Sequence, residues 1–359
     1  MTRYTAQTKS KDGGEAVEPT GDAVLPGIDP GEILQPSPER LEAGIPYVSK
    51  SRIKTFVQCP AKFYWKYWCE HSTPGSIHTE KGWRLHDTFE QFHVNLMAYI
   101  EEHGERPDRF HELLPTWKHW SQWLEQFGTF IMFEERRWDT ASDHVLDKYG
   151  EIFTESDADA AKQQALELWE PVEVEAEAWL GEPPAEWFDN DHVDADPDYV
   201  AGEPPVGDAP WMGRADLIVH TESVPGVEGS GVVIVDYKTG SCPTIRYDGH
   251  PMLEQIVNEG IFLEGEYYGW LFELNPEFDH EIDAVAGYYP QEDEFVVSPY
   301  PNQDRKFDIK KAVLGMQKQP ELVKGNGPPE NFDYEEQPLC NYSGGNCHFY
   351  NICGSTYGR

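Results

Sequence analysis

Gly231-Val-Val-Ile-Val-Asp-Tyr-Lys-Thr-Gly240 follows closely on Gly213-Arg-Ala-Asp-Leu-Ile-Val219 in the chain. Each is a short apolar run of strand length. Between them Glu222 to Ser230 carries Pro225, Gly226 and Gly229, so the pair reads as a β-hairpin with a loose loop. Side chains two apart on a strand point to the same face. Asp236 and Lys238 therefore stand together, and Asp216 can meet them across the hairpin.

Upstream, Val172-Glu-Val-Glu-Ala-Glu-Ala178 alternates strictly and predicts a half-exposed strand. After the hairpin come a helix around Leu253 to Leu263, strands at Ala284–Tyr289 and Glu294–Val297, and a helix near Ile309–Val323. On the N-terminal side, Ser49 and Ser51 are candidate caps for a helix from Arg52 to Gln58. Pro60 suits the first residue of a second helix, Ala61 to Trp68. Leu85, Phe89, Phe92 and Leu96 make one apolar helix face, with His86, Glu90 and His93 on the face beside it. Residues 100–168 are mostly helical in pattern, with Trp117, Trp120, Trp123 and Phe127 available for a local core. Residues 1–46 show no periodicity and read as an acidic mobile tail. Gly325-Asn-Gly-Pro-Pro links to a Cys-rich end. Together these elements predict an α/β fold, a central mixed sheet with helices on both sides.

The 359 residues hold 65 acids and 28 bases, a net charge of −37. A basic footprint, the usual mark of a nucleic-acid binder, is missing. High charge also suggests disorder, but 13% aromatic content with 12 Trp calls for a folded core. The acids are scattered and Lys is sparse, which suits a salt-filled cytoplasm or a solubility-biased surface. No run approaches the 18 apolar residues of a membrane helix, and the first residues lack an apolar signal core, so the expected location is cytoplasmic. Six cysteines are too few for a secreted disulfide scaffold.

Two carboxylates and an ammonium around one spot suit phosphodiester hydrolysis. Carboxylates hold Mg²⁺ or Mn²⁺, the metal activates a water, and a lysine orients it or stabilises developing charge. An ordinary surface ion pair is the bland alternative.

Asp216, then Asp236-Tyr-Lys238, then Gln255 in the following helix resemble the PD-(D/E)XK nuclease superfamily, in its RecB-like branch with the CRISPR-associated exonucleases. Ser49-Lys-Ser with Gln58-Cys-Pro-Ala-Lys-Phe-Tyr-Trp-Lys-Tyr resembles that branch's opening helices, and Gly82-Trp-Arg-Leu-His86 its Gly-x-x-x-His helix. The resemblance implies a restriction-endonuclease-like core over 47–359, with 100–168 as a helical insertion and 325–359 as an iron–sulfur-binding segment. It implies His86, Asp216, Asp236 and the carbonyl of Tyr237 as metal ligands, Lys238 as catalytic lysine and Gln255 as a supporting residue. The branch often has Tyr four residues after the Gln, where this chain has Glu259. Glu175 is the candidate for a further acidic position of the family, with Glu173 and Glu177 as rivals on its face. A zinc site from His86, Glu90 and His93 is a different reading of the same helix.

Cys340, Cys347 and Cys353 end the chain, and a 4Fe–4S cluster takes four thiolates. Cys59 is the candidate fourth, with Cys69 as fallback, and the resemblance implies this arrangement of one early and three late cysteines. The gap before Cys347 is longer than the family's usual one. The alternatives are a zinc staple on these residues, with His348 able to replace one cysteine, and unbound thiols. The implied activity is a metal-dependent deoxyribonuclease, acting as an exonuclease on single-stranded or free ends of DNA, in repair, recombination, CRISPR adaptation or viral replication. A separate helicase or CRISPR integration proteins are the implied partners, with no membrane. The alternatives are a catalytically silent accessory of the same fold and a zinc-stapled interaction module. Trp83 and Tyr237 are candidates to stack on unpaired bases, core packing being the commoner role of such residues.

Overall fold

Val232–Tyr237 is buried at every position, as a run of β-branched residues in a central strand should be. The structure, a computed structural model, describes residues 36–71, 77–115, 124–149, 154–182 and 202–323, with Cys347 and Phe349. In chain order its elements are α1 (Pro38–Ala43), α2 (Lys50–Gln58), α3 (Pro60–Phe63), α4 (Ile77–His103), α5 (Leu124–Tyr149), α6 (Glu155–Trp169), β1 (Glu173–Leu180), β2 (Trp211–His220), β3 (Val232–Tyr237), α7 (Pro243–Arg246), α8 (Pro251–Glu273), β4 (Ile282–Tyr289), β5 (Glu294–Pro299) and α9 (Gln303–Val323). The chain divides into two units, one of residues 78–204 and 210–307, the other of residues 1–77, 205–209 and 308–359.

The larger unit holds a five-stranded sheet in the order β1-β2-β3-β4-β5. Strands pair antiparallel except β3 and β4, which are parallel. Parallel neighbours need a crossover, and α8 supplies it. Strand β4 alternates between two layers. Ala284, Ala286 and Tyr288 join the cluster built by Leu85, Phe89, Phe92 and Leu96 of α4, Phe127, Phe130 and Phe133 of α5, and Leu166 and Trp169 of α6. Val285 and Gly287 face α8 instead, where a Cβ on Gly265 would stand 2.7 Å from Val285 Cβ and one on Gly287 3.1 Å from Ile261. Glycine lets α8 lie this close, and the sheet is covered on both faces, the mixed α/β arrangement expected.

The close fit buries acids as well as apolar groups. Glu266 of α8 is fully buried; its Oε1 accepts the Asn302 N–H at 2.9 Å, and among the described residues its Oε2 has no partner. Burial pushes this carboxyl up to about 7. The folded chain holds this proton up to about 7, whereas the unfolded chain releases it at the ordinary 4.5, so stability falls as pH rises between those two values and levels off above 7. Chemical unfolding at pH 5 and pH 8 is expected to show a loss of about 2 kcal/mol from this group, which Glu266→Gln removes. An equal pH dependence in the variant would refute it.

In the smaller unit, Pro38–Ala43 is a helix, where the absence of periodicity predicted an irregular tail up to residue 46. Six residues are too few to show a period; the Ser37 cap, accepting the Arg40 N–H at 3.1 Å, and the Pro at the start hold it. Arg40 then donates to the Tyr67 carbonyl and lies over the Trp68 ring at 5.1 Å. Residues 1–35 lie outside the described residues. The helix expected over 61–68 is α-helical only to Phe63 and continues as a π-helical turn, Tyr64–Trp68. Trp68 Nε1 donates to Gln319 of α9 at 2.9 Å, and Gln319 donates to the Pro60 carbonyl at 3.0 Å. The helical stretch 100–168 is interrupted after His103, with a 3₁₀ turn at Phe110–Leu113; Trp117, Trp120 and Trp123 lie outside the described residues.

Candidate active site

The β2–β3 ladder runs from His220↔Val232 to Leu217↔Val235. Past that last pair, the Asp216 carboxylate Oδ2 takes the Tyr237 N–H at 2.6 Å. Asp216 Oδ1 lies 3.2 Å from His86 Nδ1, and the Tyr237 carbonyl lies 3.0 Å from His86 Nε2. Both ring nitrogens face acceptors, which suits the doubly protonated imidazole. Burial alone would lower the His86 pKa; the hydrogen bond and charge of Asp216, with Asp236 and Glu175, outweigh it and raise it. A positive charge is thus favoured at this point.

Glu175 completes the cluster. Register pairs Val174↔Leu217 and Ala176↔Ala215 place it opposite Asp216. One ligand atom from each of His86, Glu175 and Asp216 lies within 4.8 Å of the others, and among the described residues no other group of three does so. The three rival acids of β1 are therefore distinguished: Glu175, not Glu173 or Glu177, reaches the cluster. It adopts φ +51°, a left-handed conformation unusual for a non-glycine residue. Burial, then the charge of Asp216, pushes its carboxyl up to about 7. Arg214 pairs with Glu175 and lies 3.7 Å from Glu90.

Lys238 pairs with Asp236 and donates to Glu264 Oε2 at 2.8 Å. Asp236 and Lys238, two apart in sequence, do stand together. Glu264 escaped the sequence reading; its signal was an acid inside the apolar run Gly260-Ile-Phe-Leu-Glu-Gly, on a helix face that is buried. Gln255, by contrast, is exposed in the second turn of α8, and Glu259 pairs with Arg305 at 3.2 Å. The Tyr237 ring lies in the core, edge-on to Phe89 at 5.0 Å. Trp83 does not pack in the core, against expectation: it is 71% exposed. His93 is fully buried against Glu134 at 3.2 Å, so His86, Glu90 and His93 form no shared zinc site.

A nitrogen, carboxylates and a backbone carbonyl form a hard, oxygen-rich donor set, which fits Mg²⁺ or Mn²⁺ better than zinc or a soft metal. A family model described as the PD-(D/E)XK nuclease superfamily matches residues 47–354. The chain belongs to the PD-(D/E)XK nuclease superfamily. The mixed sheet with helices on both faces is accordingly the restriction-endonuclease-like fold, and the superfamily's general activity is divalent-metal-dependent nucleic-acid hydrolysis. No curated protein matches the chain.

Of the cysteines read as cluster ligands, Cys59 and Cys347 are described, and Cys340 and Cys353 lie outside the described residues, as does His348. No disulfide joins the described cysteines. Cys59 caps α3, its Sγ accepting the Lys62 N–H at 3.4 Å. Phe349, two residues past Cys347, is fully buried and stacks on Trp65 at 5.6 Å, within the same unit. Cys69 is pushed up to about 11 by burial, so the fallback thiol stays protonated at neutral pH. Among the described residues no helix is long and apolar enough to cross a membrane.

Proposed function

We propose that this protein is a divalent-metal-dependent deoxyribonuclease of the RecB-like branch, degrading DNA from single-stranded or free ends as an exonuclease. The observation that carries the reading is the convergence of His86, Glu175 and Asp216, with Asp236 and Lys238 beside them at the end of β3. His86, Asp216, Asp236 and the Tyr237 carbonyl, with Glu175, would hold the Mg²⁺ or Mn²⁺. When bound, the metal polarises the phosphodiester and lowers the pKa of water. Lys238 would orient the attacking water and meet the charge that develops on the phosphate. Glu264 fixes where its ammonium sits. Gln255, exposed here, keeps at most a supporting role.

A 4Fe–4S cluster on Cys59, Cys340, Cys347 and Cys353 would staple the C-terminal segment to the N-terminal helices. The Trp65–Phe349 stack supports this, since Phe349, two residues past Cys347, lies against Trp65. The scattered −37 charge supports a cytoplasm of molar salt, in a halophilic host or its virus. Repair, recombination and CRISPR adaptation all supply suitable ends, with a separate helicase or integration proteins as partners.

The test is degradation of linear single- and double-stranded DNA in molar KCl by protein purified without oxygen. Mn²⁺ or Mg²⁺ is expected to be required, a chelator to stop the reaction, and added metal to restore it. Brown protein with visible absorbance from thiolate-bound iron is expected. Absence of any metal-dependent degradation overturns the nuclease reading. Colourless protein carrying zinc overturns the cluster.

A further inference from the structure

Trp83 is the most exposed large apolar side chain among those described, at 71%, while the other described tryptophans are buried or half-buried. Its position is not arbitrary. On α4, residues 83, 86 and 90 stand at i, i+3 and i+7, one stripe along the helix. His86 in the middle touches Asp216 and the Tyr237 carbonyl. Glu90 at one end lies 3.7 Å from Arg214, the exposed residue of β2. At the other end, a Cβ on Gly82 would stand 3.4 Å from Thr239 Oγ1, next to Lys238. The stripe therefore crosses the candidate active site, with a bare indole before it and a guanidinium after it. It spans about 10 Å, at 1.5 Å per residue, enough for a short run of nucleotides.

Building on the nuclease reading, we propose that this stripe is the track for an unpaired DNA strand, with Trp83 as the base-stacking platform and Arg214 as the phosphate contact. An indole stacks on any base, but only on one that is not already enclosed in a duplex. Stacking also survives salt, unlike a lysine patch, whose hold on phosphates falls steeply as salt rises. That is the form of recognition open to a protein carrying −37. Arg214 is 46% exposed, against 20% for Lys238, and its planar fork matches phosphate oxygens. It pairs with Glu175, and it exchanges that carboxylate for a phosphate when the strand is bound.

The experiment is fluorescence anisotropy of labelled oligothymidine and of a blunt duplex in molar KCl, with Ca²⁺ replacing the catalytic metal. Wild type is expected to bind the single strand more tightly than the duplex. Trp83→Ala is expected to weaken single-strand binding about tenfold or more and leave duplex binding within about twofold, while Trp83→Phe keeps most of the affinity. Arg214→Gln is expected to weaken single-strand binding and flatten its salt dependence. Circular dichroism checks that each variant is folded. Trp83→Ala binding like wild type, or Trp83→Phe failing as badly as Trp83→Ala, overturns the track while leaving the nuclease reading standing. Wild type that neither binds nor cuts DNA overturns both.

Discussion

Arg137→Ala is expected to lower the unfolding free energy by about 3–5 kcal/mol. Arg137 and Glu134 are both fully buried, three residues apart on α5. Arg137 Nη1 donates to Glu134 Oε2 at 2.8 Å, and Nη2 donates to the Trp169 carbonyl at 2.8 Å and to Ser223 Oγ at 3.0 Å. His93 meets the other Glu134 oxygen at 3.2 Å. Burial alone would push Glu134 up; Arg137 and His93 outweigh it and hold the carboxyl below its ordinary value. Removing the arginine leaves a carboxylate in the core with only a histidine, and strips the Trp169 carbonyl of its donor. The cost arises from the charge left behind, not from the worth of the pair. Arg137→Met with Glu134→Met is therefore expected to recover at least half of the loss, since an ion pair replaced by apolar residues of similar size is often neutral. Urea unfolding at pH 7 in constant KCl measures both. A single variant that loses less than about 1 kcal/mol would mean that water reaches the pair.

Which parts of this were legible in the sequence follows from how far along the chain each signal extends. The hairpin was legible because Val-Val-Ile-Val and Asp-Leu-Ile-Val are local runs with a Gly-Pro loop between them, and a strand's period of two fixes where Asp236 and Lys238 point. Leu85, Phe89, Phe92 and Leu96 were legible as a core face for the same reason. The Arg137–Glu134–His93 network was not, because its members meet through tertiary packing of α4 against α5, and an Arg and a Glu three apart on a helix read as a solvated pair. Glu175 could not be told from Glu173 and Glu177, since alternation gives all three one face. A local left-handed backbone and the β1–β2 register decide among them. Glu264 was passed over because Gln255 fitted a motif spacing. The contact that matters is made nine residues further along α8, where the helix runs over the end of β3. Trp83 was expected to pack because aromatics usually do; nothing local says that the surface it points to is open.

Lys238→Met is expected to lower turnover by about 10²–10⁴-fold with metal and DNA still bound, the range for losing one positioned proton-handling or charge-stabilising group. Methionine keeps the stem and removes the ammonium. The complication is that Lys238 also has a structural partner on each side. Its ammonium lies between Asp236 and Glu264, whose side chains are only 7% and 8% exposed. Without it these two carboxylates confront each other in a poorly solvated place, so the single variant also loses stability. Lys238→Met with Glu264→Gln removes one of the two charges. That pair is expected to regain most of the stability, measured by thermal melting in molar KCl, and none of the turnover, measured with saturating Mn²⁺ and single-stranded DNA. Glu264→Gln alone, whose amide oxygen still accepts from the ammonium, is expected to keep most of the activity. Recovery of turnover in the double variant would show that Lys238 serves the fold and that the chemistry belongs to another group. Loss that persists while the fold returns assigns the ammonium to the reaction.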